Sequence, residues 1–238
     1  MAVNIIKVKD FILDILFPKT CLNCQKEGSY LCYDCFSLIP ILDRQYCPFC
    51  QKPKFVFDGK TCPNCRRRHK LKGLFCAADY KNFIVKKMIR QFKYEPLVKE
   101  LAKPLSSLVL AHLKHLNISD FSDFLLVPVP LHERKLRERG FNPAEEIAKK
   151  LSESSNVPVL NNVLAKIKST PAQAELKKEE REKNIKGVFS CLNKGAIASR
   201  KILLVDDVFT TGATMEEGAG CLRAAGAKEI WGMVIARG

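Results

Sequence analysis

Near the end of the chain, residues 202–215 (ILLVDDVFTTGATM) carry an apolar strand straight into two carboxylates and a loop of small and hydroxyl residues that opens a helix. Each part has a chemical use. Gly212 lets backbone N–H groups turn toward an anion, the helix start adds positive potential, and Thr210, Thr211 and Thr214 supply hydroxyl donors. Asp206 and Asp207 stand one step earlier, where a carboxylate can accept hydrogen bonds from vicinal sugar hydroxyls. A phosphate cradle beside sugar-reading carboxylates suits a ribose 5-phosphate, with Asp206, Asp207, Thr210, Thr211, Gly212, Ala213 and Thr214 as the binding set. The Gly-Lys-Ser/Thr ending of an ATPase phosphate loop is missing, so that class is excluded. An ordinary strand–turn–helix with Asp caps is the bland alternative, and the length and order of the motif disfavour it.

The second chemical feature is sulfur. Eight of the eleven cysteines fall in four C-x-x-C pairs: Cys21/Cys24, Cys32/Cys35, Cys47/Cys50 and Cys62/Cys65. Two thiolates on a tight turn present both sulfurs to one tetrahedral ion, and a second pair completes a four-thiolate site. Eight ligands imply two Zn²⁺ ions, structural because no coordination position is left for water. Sequential pairing and a crossed arrangement (first pair with third, second with fourth) both satisfy the spacing, and two tandem ribbons are the expected form. A redox C-x-x-C belongs at a helix start in a thioredoxin-like unit, a context absent here. An odd cysteine total with paired spacing fits metal ligation in a reducing cytoplasm better than a secreted disulfide framework. Cys76, Cys191 and Cys221 read as small buried hydrophobes. His69 belongs to the basic run Arg66, Arg67, Arg68, His69, Lys70, expected to be the linker after the metal module.

Around these sites the elements are legible in outline. Residues 20–67 lack helical periodicity, as a metal-stapled module does. Beyond them, 74–80 and 124–129 read as strands, 83–92 and 96–116 as helices, and the basic stretch after Val129 as a loop. A helix follows from about Pro143 to Leu151, with short strands expected at 163–167 and 187–190. Then come an apolar strand at 201–206, a helix over 214–225 ended by Gly226, and a last strand at 230–236. Apolar strands alternating with helices indicate an α/β fold with a mostly parallel sheet, whose ligands bind beyond the carboxyl ends of the strands.

The formal net charge of +15, from 40 Lys and Arg against 25 Asp and Glu, points to polyanionic partners. Nucleic acid, phosphorylated metabolites and an anionic membrane face all qualify, and a lysine-rich solubilising surface is the plain alternative. Lys52, Lys54, Lys60 and the Arg66–Lys70 run offer phosphate contacts, while Tyr30, Tyr33, Phe49, Phe55 and Phe57 either stack on single-stranded bases or cover the zinc sites. Residues 4–17 (NIIKVKDFILDILF) are apolar but interrupted by Lys7, Lys9, Asp10 and Asp14, well short of the roughly 18 apolar residues a spanning helix needs. No transmembrane segment or signal peptide is expected. Ile5, Val8, Ile12, Ile15 and Leu16 recur at helical spacing up to Pro18, so 1–19 is an expected amphipathic helix. It would pack on the protein, with peripheral membrane contact the alternative.

The stretch V-D-D-x-x-T-T-G-x-T resembles the signature of type I phosphoribosyltransferases. Two further blocks, VPVPLHERKLRERGFN (127–142) and TPAQAELKKEEREKN (170–184), are similar to those of the ComF family of competence proteins. The matching positions are Arg134, Arg139, Gly140, Phe141 and Asn142, then Thr170, Gln173, Leu176, Arg181 and Asn184. Pro143 departs from the family's usual Gln, which is expected to alter the turn after Asn142 or remove a polar contact. The resemblance implies a type I phosphoribosyltransferase fold over 71–238, preceded by a double zinc ribbon over 20–70. It implies 5-phosphoribosyl-1-pyrophosphate (PRPP) as ligand, with Mg²⁺ bridging diphosphate and ribose oxygens. Residues 128–140 would be the pyrophosphate loop and 172–183 a mobile hood, with Arg139 and Arg181 as catalytic cations for the departing pyrophosphate. No general base and no acceptor pocket can be named, so ligand binding is more secure than turnover. The implied role is handling of transforming single-stranded DNA in natural competence, at the cytoplasmic face and beside the competence helicase. The alternative is a non-catalytic DNA- and partner-binding module whose phosphoribosyl site is a sensor or relic.

Overall fold

The computed structural model describes residues 18–50, 54–94, 97–118, 121–168 and 185–238. The expected N-terminal helix and the block 170–184 lie outside these.

Four strands form one parallel sheet in the order β3-β8-β7-β4: β3 is Leu74–Asp79, β4 Phe124–Pro128, β7 Lys201–Phe209 and β8 Glu229–Arg237. A parallel bridge from Val159 to Leu126 continues it outside β4. Both faces of the sheet are buried, which is why its strands are almost wholly apolar. Ala77, Leu126, Leu203, Val205, Met233 and Ile235 pack on one side with helices α3 (Phe83–Lys93), α4 (Ala102–His115) and α6 (Pro143–Ser155). Residues one step along, Cys76, Val127, Ile202, Leu204 and Val234, pack on the other side with α7 (Ala213–Ala224). The single-residue alternation follows from the two-residue period of a strand.

Local chemistry explains the boundaries. Asn82 caps α3 by accepting from the Val85 N–H at 3.1 Å. Asn142 caps α6 by accepting from Ala144 N–H at 3.2 Å, and its amide donates to Val129 O at 3.0 Å. Pro143 sits at the first turn, where no N–H is needed, so the departure from Gln is accommodated without disturbing the helix start. Asn156 in the left-handed region closes the helix, four residues beyond the expected end at Leu151.

Further expectations differ from the structure. The helix expected from Pro96 begins at Ala102, after a single 3-10 turn over Lys99–Leu101. The stretch after Val129, expected as loop, contains α5 (Glu133–Arg139). The expected short strands are present as β5 (Leu164–Lys166) and β6 (Phe189–Cys191), which pair antiparallel with each other outside the main sheet.

The cysteine module also holds regular structure: helices α1 (Tyr33–Ser37) and α2 (Pro63–Arg66) and a hairpin of β1 (Gln45–Tyr46) with β2 (Phe55–Val56). It runs into the sheet without a break. Thr61 N–H donates to Lys72 O at 2.7 Å, and Gly73 lies so close to Trp231 that a Cβ there would fall 2.3 Å from the indole. Among the described residues no helix is long and apolar enough to cross a membrane.

Candidate functional site

From β4 the chain leaves through α6 toward the Val159 side, whereas from β7 it leaves through α7 toward β8. The carboxyl ends of β4 and β7 therefore flank a topological switch point, where open α/β sheets bind ligands. A cavity of about 380 Å³ opens there. Arg139, Asp206, Asp207, Thr210, Thr211, Ala213 and Thr214 line it, and Gly212 shapes the loop between them. Of the expected site residues in this domain, Arg181 alone lies outside the described residues. Among the described residues, a larger cavity near the amino end of β4 is lined by a single charged group, Lys114. It lacks the charge convergence of the switch-point cavity.

β7 continues to Phe209, past its expected end, so both carboxylates belong to the strand itself. Asp207 is 6% exposed and pairs with the Lys93 ammonium at 2.7 Å. Burial opposes the charge on Lys93, but Asp207 and then Asp206 outweigh it and hold its pKa above the ordinary value. Asp206 accepts from the Asp207 N–H at 2.9 Å. Burial, reinforced by the Asp207 charge, pushes Asp206 up to about 7. Lys135 on α5 and Lys166 on β5 face the same cavity, both with pKa lowered by burial and by neighbouring cations. Arg139 lies over the Tyr94 ring at 5.7 Å.

The loop turns on a single glycine. Gly212 has φ 81° and precedes the first turn of α7, and Ala213 N–H donates to Thr211 Oγ1 at 3.3 Å. Thr210, Thr211 and Thr214 line the cavity beside this helix start. Lys93, Lys135 and Lys166 escaped assignment from sequence. Lys93 reads only as part of a basic helix face and Lys135 as one cation of a basic loop, and nothing local marks Lys166.

The cysteines resolve into two groups, Cys21/Cys24/Cys32/Cys35 and Cys47/Cys50/Cys62/Cys65, the sulfurs of each lying within 4.8 Å of one another. Pairing is sequential. Sulfur separations of 3.6 Å for Cys24–Cys32 and 3.7 Å for Cys50–Cys62 and Cys50–Cys65 match the edge of a tetrahedron with zinc–sulfur bonds of about 2.3 Å. Backbone N–H groups of Cys32 and Cys62 point at Cys21 and Cys47 sulfurs at 3.5 Å, as around a thiolate centre. In the second group, burial raises the Cys50 and Cys65 pKa values, and Cys47 and Cys62 add to it at both, a conflict that a divalent cation relieves. The donor set fits two structural zinc ions. His69 is in neither group.

A family model described as phosphoribosyl transferase domain matches residues 136–238, and one described as double zinc ribbon domain matches residues 12–66. Competence protein F of Haemophilus influenzae is 38% identical over 114 residues, 47% of this chain and half of that protein's length. Competence protein ComFC of Bacillus subtilis is 28% identical over 209 residues, 83% of this chain and 79% of that protein. The chain is similar to the ComF proteins in sequence and in its two domain models. DNA utilization protein YhgH of Escherichia coli, 28% identical over 198 residues, covers 79% of this chain with 83% of its own length. The architecture is thus a phosphoribosyltransferase domain with a parallel sheet flanked by helices, carrying an N-terminal double zinc ribbon.

Proposed function

We propose that this chain binds PRPP in the switch-point cavity and acts on single-stranded DNA in natural competence. The observation that supports this best is the convergence of the Thr-Gly loop, two carboxylates and the cations Lys93, Lys135, Arg139 and Lys166 on one crevice. The loop N–H and hydroxyl groups take the 5-phosphate, Asp206 and Asp207 take the ribose hydroxyls, and Lys135 and Arg139 take the pyrophosphate. Mg²⁺ accompanying the diphosphate would supply further charge neutralisation. In catalysis the bond from C1 to the pyrophosphate oxygen breaks and an acceptor bonds to C1. The cations stabilise the charge that departs, while the carboxylates orient a sugar of oxocarbenium character.

The named relatives carry the competence part of the reading: two are competence proteins and one a DNA utilization protein. On the ribbons, Tyr33, Phe55 and Phe57 are exposed, and Phe55 and Phe57 form an edge-to-face pair at 5.3 Å. With Lys54, Lys60 and Arg66 nearby in sequence, these rings suit base stacking on a strand held by its phosphates. The role would be exercised at the cytoplasmic face, beside the competence helicase.

A second reading, a sensor that holds PRPP without turnover, is favoured by one feature: Lys93 already satisfies Asp207. Thermal stabilisation by millimolar PRPP with Mg²⁺, lost in Asp206→Ala/Asp207→Ala, tests binding. Absence of any shift in the unmodified protein refutes the phosphoribosyl reading. Pyrophosphate release on adding nucleic-acid acceptors separates enzyme from sensor. Single-strand binding should weaken steeply with salt and with Phe55→Ala/Phe57→Ala.

A further inference from the structure

The second zinc ribbon does more than precede the sheet: it touches the phosphate loop. Phe49 lies inside the turn Cys47-Pro48-Phe49-Cys50, so its backbone is held between two metal ligands. Its ring stacks flat on His69, centroids 3.6 Å apart and 2° from parallel, and meets Phe209 edge-on at 6.0 Å. Phe209 ends β7 just before the loop. A Cβ on Gly212 would fall 2.4 Å from the Phe209 ring and 3.2 Å from the Phe49 ring. The tightest point of the loop therefore rests on two aromatic edges, one from each module.

The same ribbon grips both flanks of that point. Arg237, at the end of β8, donates to Cys47 O at 3.4 Å and Pro48 O at 3.0 Å. Glu216, in the first turn of α7, accepts from Lys70 and Leu71 N–H groups at 3.0 Å and faces His69 Nδ1 at 3.3 Å. Its carboxylate thus ties the helix that opens from Gly212 to the segment leaving Cys65. The first ribbon meets the other domain at α3, through Lys87 donating to Leu22 O at 2.5 Å.

We infer that Phe49 is a positioning residue through which the Cys47/Cys50/Cys62/Cys65 metal centre fixes the phosphate loop, so that metal binding there and binding of a ribose 5-phosphate ligand strengthen each other. The ligand half rests on the function proposed above; the loop half does not. Coupling between sites is reciprocal, and it requires a contact that differs between the two states. The metal-held knuckle keeps the Phe49 ring against Gly212. Loss of the metal frees the knuckle, and the loop loses its support.

The test uses the full zinc-loaded chain. Phe49→Ala is compared with Tyr46→Ala, an exposed ring of the same ribbon, and with Phe49→Tyr, which keeps the ring. Zinc content, amide exchange over residues 210–215, calorimetric affinity for Mg-PRPP and zinc release to a zinc-selective chelator are measured. Phe49→Ala should retain two zinc ions, exchange faster over 210–215 alone, and bind Mg-PRPP about ten-fold more weakly. Tyr46→Ala should change neither, and Phe49→Tyr should restore both. In the unmodified protein Mg-PRPP should slow release of one zinc of the two, and Phe49→Ala should abolish that slowing. Unchanged loop exchange in zinc-replete Phe49→Ala overturns the inference, as does ligand binding that leaves both zinc release rates unaltered. Should the unmodified protein not bind Mg-PRPP, the proposed function fails and loop exchange alone decides the inference. If Phe49→Ala loses zinc, ligand-dependent zinc release in the unmodified protein decides it.

Discussion

Two adjacent carboxylates inside a buried strand are electrostatically expensive, and Lys93 answers only part of that cost. Asp206 is carried from 3.8 to about 7 by burial and by Asp207, so the folded chain holds a proton that the unfolded chain releases. Stability attributable to Asp206 is therefore lost as pH rises between those values. Asp206→Asn should stabilise the ligand-free protein by about 1–2 kcal/mol at pH 8, the gain vanishing toward pH 4, as read by urea denaturation across pH. The same change should remove PRPP-dependent stabilisation. Lys93→Met leaves Asp207 buried without a counter-charge and should cost about 3 kcal/mol. Lys93→Met/Asp207→Asn should recover most of it, a coupling measured by a double-mutant cycle.

At the scale of elements, what was hidden from sequence has a common cause. α5 has one apolar residue, Leu136, itself 41% exposed, so no hydrophobic period announces it. Ion pairs one turn apart hold it instead: Arg134 to Glu138 at 3.0 Å and Glu133 to Arg137 at 3.6 Å, with Gly140 at φ 77° closing the end. This helix brings Lys135 and Arg139 to the cavity. β5 and β6 are each recognisable as short apolar runs, but three residues carry too little pattern to name a partner strand. The phosphate loop, by contrast, depends on one backbone angle. Gly212→Ala must place a Cβ at φ 81° and against Phe209, so it should destabilise the protein by about 1–3 kcal/mol and abolish ligand-dependent stabilisation in a thermal shift assay.

Across the whole molecule, the two four-cysteine groups serve a segment too short to bury a core of its own, and the second also meets the loop at Gly212. Metal analysis should return two zinc ions per chain, and a zinc-selective chelator should unfold the ribbons, seen as faster amide exchange over 20–70. The sequence alone determined what depends on neighbours within a few positions. The four C-x-x-C turns, the carboxylates beside a Thr-Gly loop and the apolar strands are contiguous patterns, and their chemistry is set by spacing along the chain. Only the tertiary structure decided which knuckles share a metal, that Lys93 neutralises Asp207, and that Lys135, Arg139 and Lys166 face one cavity. Those groups come from separate helices and strands, and the crossover connections of a parallel sheet bring them together at its carboxyl edge. There Phe49 also reaches Gly212, a contact spanning the two modules that no local spacing encodes.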